Sequence, residues 1–138
     1  MQSKNSFVFV LAGLIAIALA ACGGFGGDPL EGSSWRLITY GENDLIPGTS
    51  VTLSFQDGQL GGSAGCNSYS GSYQVRGEKI EIGLVSITVM ACPEPEGVME
   101  QESAYLEFLM AGQSFQLQDG SLSIFSEAGE ALVFEQKD

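Results

Sequence analysis

Three cysteines and no histidine in 138 residues limit the chemistry this chain can do. Cys66 stands in GGSAGCNSYSGSY, residues 61–73, among four glycines. A nucleophilic cysteine needs thiolate character, for which the usual source is a neighbouring histidine. None is present, and a net charge of −12 works against a thiolate at either Cys66 or Cys92. Nor do the glycines make a phosphate cradle. No Lys-Ser or Lys-Thr follows Gly65 to Gly71, dinucleotide spacing is missing, and a strand pattern follows where a phosphate loop would open a helix. In a β-rich chain such glycines mark bulges, tight turns and close backbone approach.

Zinc sites draw on closely spaced Cys or His pairs, and the chain has no Cys-x-x-Cys. Met90, Cys92 and Met99 form a soft set of the kind Cu(I) accepts, but methionine at such positions ordinarily fills core gaps. No Asp-x-Asp-x-Asp-Gly loop supports calcium. The acids fall mainly in turns and on outward faces, and no constellation of acid, base and oxyanion donor emerges. The sequence thus predicts no catalytic, cofactor-binding or metal-binding residue and no cofactor. Its acidity repels nucleic acid and anionic head groups, so no nucleic-acid partner is expected, and solubility is the simplest role for the charge.

The N-terminus points to a compartment. A short polar start with the single Lys4 precedes Phe7 to Leu19, 13 uninterrupted apolar or small residues, and small residues then lead to Cys22. That layout reads as a secretory signal, too short for a comfortable transmembrane span. Leu19, Ala20, Ala21 and Cys22 resemble the lipobox of bacterial lipoproteins, in which the Cys thiol is lipidated and the signal is cut just before it. The resemblance implies a signal peptide over 1–21, lipidation at Cys22 and a membrane partner through the acyl chains. Ordinary cleavage after Ala18-Leu19-Ala20 and an uncleaved apolar anchor also fit these residues. Because Gly23 stands where an inner-membrane retention signal has Asp, the outer membrane is expected if the cell has two membranes. Loss of residues 1–21 removes Lys4 alone and takes the net charge from −12 to −13. Lipidation would also leave Cys66 and Cys92 as a pair in a compartment where bridges persist. A bridge closing that loop would stabilise by roughly 3 to 4 kcal/mol in chain entropy. Two buried reduced thiols are the alternative.

The elements that must position these residues are mostly strands. Residues 22–30, rich in glycine, read as a lipid-anchored tether outside the core, and 31–138 as the domain. Eight short runs suit half-buried strands: 35–40, 51–55, 71–75, 79–83, 86–90, 114–118, 122–125 and 131–136. Asp57-Gly58, Gly77 and Asp119-Gly120 supply hairpin turns, so the pairing is antiparallel. Residues 98–112 read as a helix with Val98, Tyr105, Leu106, Leu109 and Met110 on its apolar face and Gly112 at its C-cap. Glu102 falls awkwardly inside that face. The expected fold is a β-rich α+β domain: a curved antiparallel sheet or partly open barrel of about eight strands with one packed helix.

Two spaced motifs carry a family resemblance. Gly65, Cys66, Asn67, Tyr69, Gly71 and Tyr73 form the first; Thr88, Met90, Ala91, Cys92 and Pro93 form the second, and Trp35 opens the domain in a Trp-x-Leu. Over residues 31–136 the chain resembles the META domain family, which includes the heat-shock lipoprotein HslJ. The resemblance implies a small β-rich domain without established catalytic activity, often behind a signal peptide or on a lipid anchor, loosely associated with stress response. It also supports pairing of Cys66 with Cys92.

The functional expectation is a non-enzymatic, lipid-anchored envelope protein, exported and facing the periplasm or cell exterior. It would be a monomer that binds an envelope protein or a small hydrophobic ligand. An envelope-surface enzyme working through carboxylates and a ligand-free spacer are the alternatives. A close acid pair in a concave pocket would favour the enzyme, and an open, patchily apolar sheet face would favour binding.

Overall fold

The computed structural model describes residues 26–138. Cys22 and the signal segment lie outside the described residues. The elements, in order, are β1 (Ser34–Tyr40), β2 (Asn43–Asp44), β3 (Thr52–Gln56), β4 (Gln59–Ser63), β5 (Ser68–Arg76), β6 (Lys79–Ile87), α1 (Val98–Met110), β7 (Gly112–Gln118), β8 (Ser121–Ser126) and β9 (Ala131–Gln136). Each strand pairs antiparallel with the next around the sheet, and β1 pairs with both β3 and β9. The result is a closed eight-stranded barrel, with the two-residue β2 folded back on β1. The expected β-rich α+β fold is present, and its barrel is closed where the sequence also allowed an open one.

Alternation decides what faces in. Trp35 and Leu37, Leu53 and Phe55, Tyr69, Gly71 and Tyr73, Leu122 and Ile124, and Leu132 and Phe134 are buried, while the residues alternating with them are more exposed. Two-residue turns at Asp57-Gly58 and Asp119-Gly120 adopt positive φ at both positions, as the Asp-Gly pairs predict. These turns lie at one end of the barrel. There Leu30 is fully buried, Gly32 N donates to Phe55 O, and Asp28 accepts hydrogen bonds from Leu30 N and the Tyr73 hydroxyl. Residues 28–30, assigned to the tether by composition, therefore belong to the fold.

Helix α1 closes the opposite end with Val98, Gln101, Glu102, Tyr105 and Leu109 inward. Met110, expected on the apolar face, is half exposed, and Glu102 is buried in its place. Several strands also differ from the sequence reading: β2 was not expected, and β5 begins at Ser68 instead of Gly71. Residues 79–83 and 86–90, read as two strands, form the single strand β6, and 88–90 leave the ladder. Strand β4 was hidden because Gly61 and Gly62 erase its alternation. Both glycines are required there: a Cβ on Gly62 would lie 2.2 Å from Thr52 O, and one on Gly61 2.8 Å from Tyr69 O.

Candidate functional site

Several family-motif residues, among them Cys66, Asn67, Thr88, Met90 and Cys92, meet where α1 closes the barrel, and Asn67 is their hub. Asn67 is only 3% exposed and follows Gly65, whose φ of 117° turns the chain inward. Its Oδ1 accepts from Thr88 Oγ1 at 2.9 Å and from Met90 N at 2.6 Å, while its Nδ2 donates to Met90 O at 3.1 Å. The side-chain amide thereby pairs with Met90 as a neighbouring strand would, extending the β5–β6 contact past the last ladder residue. Thr88 N donates to Ser68 O, and Ser68 N donates to Thr88 Oγ1 at 3.1 Å.

Glu102 anchors the hub to the helix. Its Oε2 accepts from Cys66 N at 3.0 Å and Asn67 N at 2.6 Å, and its Oε1 accepts from Asn67 Nδ2 at 2.6 Å. A buried acid is tolerated when N–H donors surround it, and here three do. One residue earlier, Gln101 does the same for another loop: Ile46 N donates to its Oε1 at 2.7 Å, and its Nε2 donates to Thr49 Oγ1 at 3.0 Å. The helix thus holds two loops through polar side chains on its inward face.

Covalent bonding completes the arrangement. Cys66 and Cys92 form a disulfide with Cα atoms 6.0 Å apart, and Cys92 N contacts Met99 Sδ at 3.5 Å. The bond ties the Gly65–Asn67 turn to the segment that leads into α1. With the Cys92 sulfur so bonded, Met90, Cys92 and Met99 no longer make a thiolate set for Cu(I). Pro93 lies exposed in the same segment.

Beneath this latch the Tyr69 hydroxyl donates to Thr52 O at 2.7 Å and lies 2.6 Å from the Tyr105 hydroxyl, with the two rings edge to face. Burial pushes both phenols well above their ordinary range, and each influences the other. Gly71 sits further along β5, where a Cβ would meet Leu84 O at 3.0 Å. Tyr73 and Trp35 belong to the turn end. Tyr73 packs edge to face on Phe55 with its hydroxyl on Asp28 and, at 3.2 Å, on Glu31, and burial followed by those carboxylates raises it strongly. Trp35 Nε1 donates to Ser33 Oγ at 2.7 Å. Glu102 is the residue that motif reading missed, and its one signal was an acid inside an apolar stripe.

Chemically the constellation is a latch. The polar atoms named in it are engaged with one another, both thiols are spent, and its acid, Glu102, is buried. Shallow clefts occur elsewhere; one of about 510 Å³ lies at the β6–β7 seam, lined in part by Arg76, Lys79 and Glu81.

Known proteins extend this description. A solved structure of a protein from Burkholderia xenovorans, determined by NMR, is similar at 26% identity with a TM-score of 0.64, covering 78% of this chain and 83% of that one. A second NMR structure shares 20% identity with a TM-score of 0.62 over 77% of this chain and 90% of the other. A DUF4847 family protein from Bacteroides vulgatus, solved by crystallography, shares the fold at 15% identity and a TM-score of 0.54, over 80% of this chain and 97% of that one. Among curated proteins nothing matches. The META domain model matches residues 28–138, starting at the Asp28 that the structure places in the fold. With the family model spanning the whole barrel, the chain belongs to the META domain family.

Proposed function

We propose that the protein is a non-enzymatic, lipid-anchored module of the bacterial cell envelope that binds a partner there, in the manner of stress-protective META proteins. The observation that supports binding over catalysis is how the side chains are used. The polar groups around Asn67 are spent on internal bonds, while Leu84 and Val89, at 94% and 96% exposure, are turned to solvent on β6 and just beyond it. Large apolar side chains so bare suit contact with another molecule. The anchoring part of the proposal stands on the lipobox-like residues ending at Cys22, and exported location is what a persistent Cys66–Cys92 bond suits.

Two experiments test the proposal. Cells fed a labelled fatty acid should yield a labelled mature protein that begins at Cys22 and loses the label on Cys22→Ala substitution. An unlabelled protein beginning at Ala21 would overturn the anchor. Cross-linking in intact cells should capture a discrete envelope partner, and recovery of nothing above background would overturn the binding reading in favour of a spacer.

A further inference from the structure

The barrel closes tightly except on one side. Strand β6 pairs with β5 from Lys79 to Ile87, yet its other edge meets β7 at a single registered pair, Lys79 with Ser114, plus the bond from Phe115 N to Glu78 O. Beyond that point the chain runs on through Thr88 to Met90, and among the described residues no strand lies on its outer side. Antiparallel geometry sets which backbone groups face outward. Thr88 N turns toward Ser68, and Met90 N and O turn toward the Asn67 amide. By alternation the N–H and C=O groups of Ile87 and Val89 point to the opposite, unpaired edge.

The side chains beside this edge are apolar and bare: Leu84 at 94%, Val89 at 96%, Met90 at 57% and Ile87 at 38% exposure. An extended, apolar, unpaired edge is a template for an added strand. The Asn67 clamp and the disulfide at Cys92 fix its end in place in advance, which lowers the ordering cost of binding.

Charge decides the occupant. No lysine or arginine occurs between Lys79 and Lys137, while Glu94 and Glu96 follow the edge directly and Glu100 and Glu107 are exposed on α1. A second copy paired edge to edge would bring two such acidic loops together, which disfavours self-association. We infer that the Ile87–Val89 edge accepts an extended segment of a cationic polypeptide as an additional β-strand, with alternating apolar and basic residues suiting the bare side chains and the acidic rim. This inference rests on the binding reading above and names the surface and partner chemistry for it.

The test uses the full chain, isotope-labelled in nonionic detergent, and a synthetic peptide of alternating valine and lysine. A matched peptide N-methylated at every second residue keeps the charge but loses the strand-forming N–H groups. We expect saturable amide shifts centred on residues 85–90, binding roughly tenfold weaker for the methylated peptide, and a similar loss with Val89→Pro, which removes an outward N–H. Equal binding of both peptides, shifts centred on the acids of α1 instead of β6, or no saturable binding would overturn the inference. A cross-linked envelope partner whose capture is insensitive to Val89→Pro would overturn it while leaving the binding reading intact.

Discussion

At the scale of single residues, Ser126 Oγ aside, the polar side chains that the described fold buries have hydrogen-bond partners. The Tyr69–Tyr105 pair is one case. Burial holds both phenols neutral well above the ordinary phenol value of about 10, and the unfolded chain returns them to it. Above that pH the unfolded state sheds protons that the folded state keeps, so stability falls as pH rises and is flat in this term below it. Urea unfolding from pH 8 to 11 should show a midpoint that declines above about pH 10, less steeply in Tyr105→Phe. An identical decline in both proteins would assign the loss to other groups. Tyr105→Phe should itself cost about 1 kcal/mol at pH 7, through one lost hydrogen bond.

At the scale of elements, sequence patterning and structure part where glycine or a polar anchor replaces the apolar signal. The strands with clean alternation, such as 114–118, 122–125 and 131–136, lie within β7, β8 and β9. Strand β4 does not alternate, because Gly61 and Gly62 are selected by the closeness of β3 and β5 and carry no side chain to reveal a face. The helix was legible, but its inward face was not: Glu102 looked misplaced since its partners, Cys66 and Asn67, lie 36 and 35 residues earlier in the chain. Periodicity reports only what an element buries, never what it bonds to at a distance. The steric reading of β4 has a sharp consequence. Gly62→Ala should destabilise the barrel by about 2 kcal/mol or more, because the added carbon meets backbone that cannot yield cheaply. Ser63→Ala beside it, measured by the same denaturant titration, should cost less than half as much.

At the scale of the whole molecule, the two ends of the barrel differ in kind. The turn end holds Leu30 and the first described residues, so a tether from Cys22 to Asp28 would reach at most about 20 Å from it. The opposite end carries the helix, the latch and the unpaired edge of β6, which an anchor on Cys22 would direct away from the bilayer. Where the fold begins can be read directly by truncation. Removing residues 1–27 should leave the unfolding midpoint unchanged, whereas removing 1–32 should cost about 2–3 kcal/mol through the lost burial of Leu30 alone. Equal stability of the two would return residues 28–30 to the tether.

The claim that Asn67, its motif neighbours and Glu102 form a latch, and not a chemical site, is tested most directly by a double-mutant cycle. Asn67→Ala, Glu102→Ala and the double variant would be compared by urea unfolding with the disulfide intact. Glu102→Ala should cost about 3 kcal/mol, because Cys66 N, Asn67 N and Asn67 Nδ2 all lose their acceptor. The double variant should be less destabilised than the sum of the single ones by about 1–2 kcal/mol, the signature of a shared buried contact. Costs that add to within about 0.5 kcal/mol would contradict the latch.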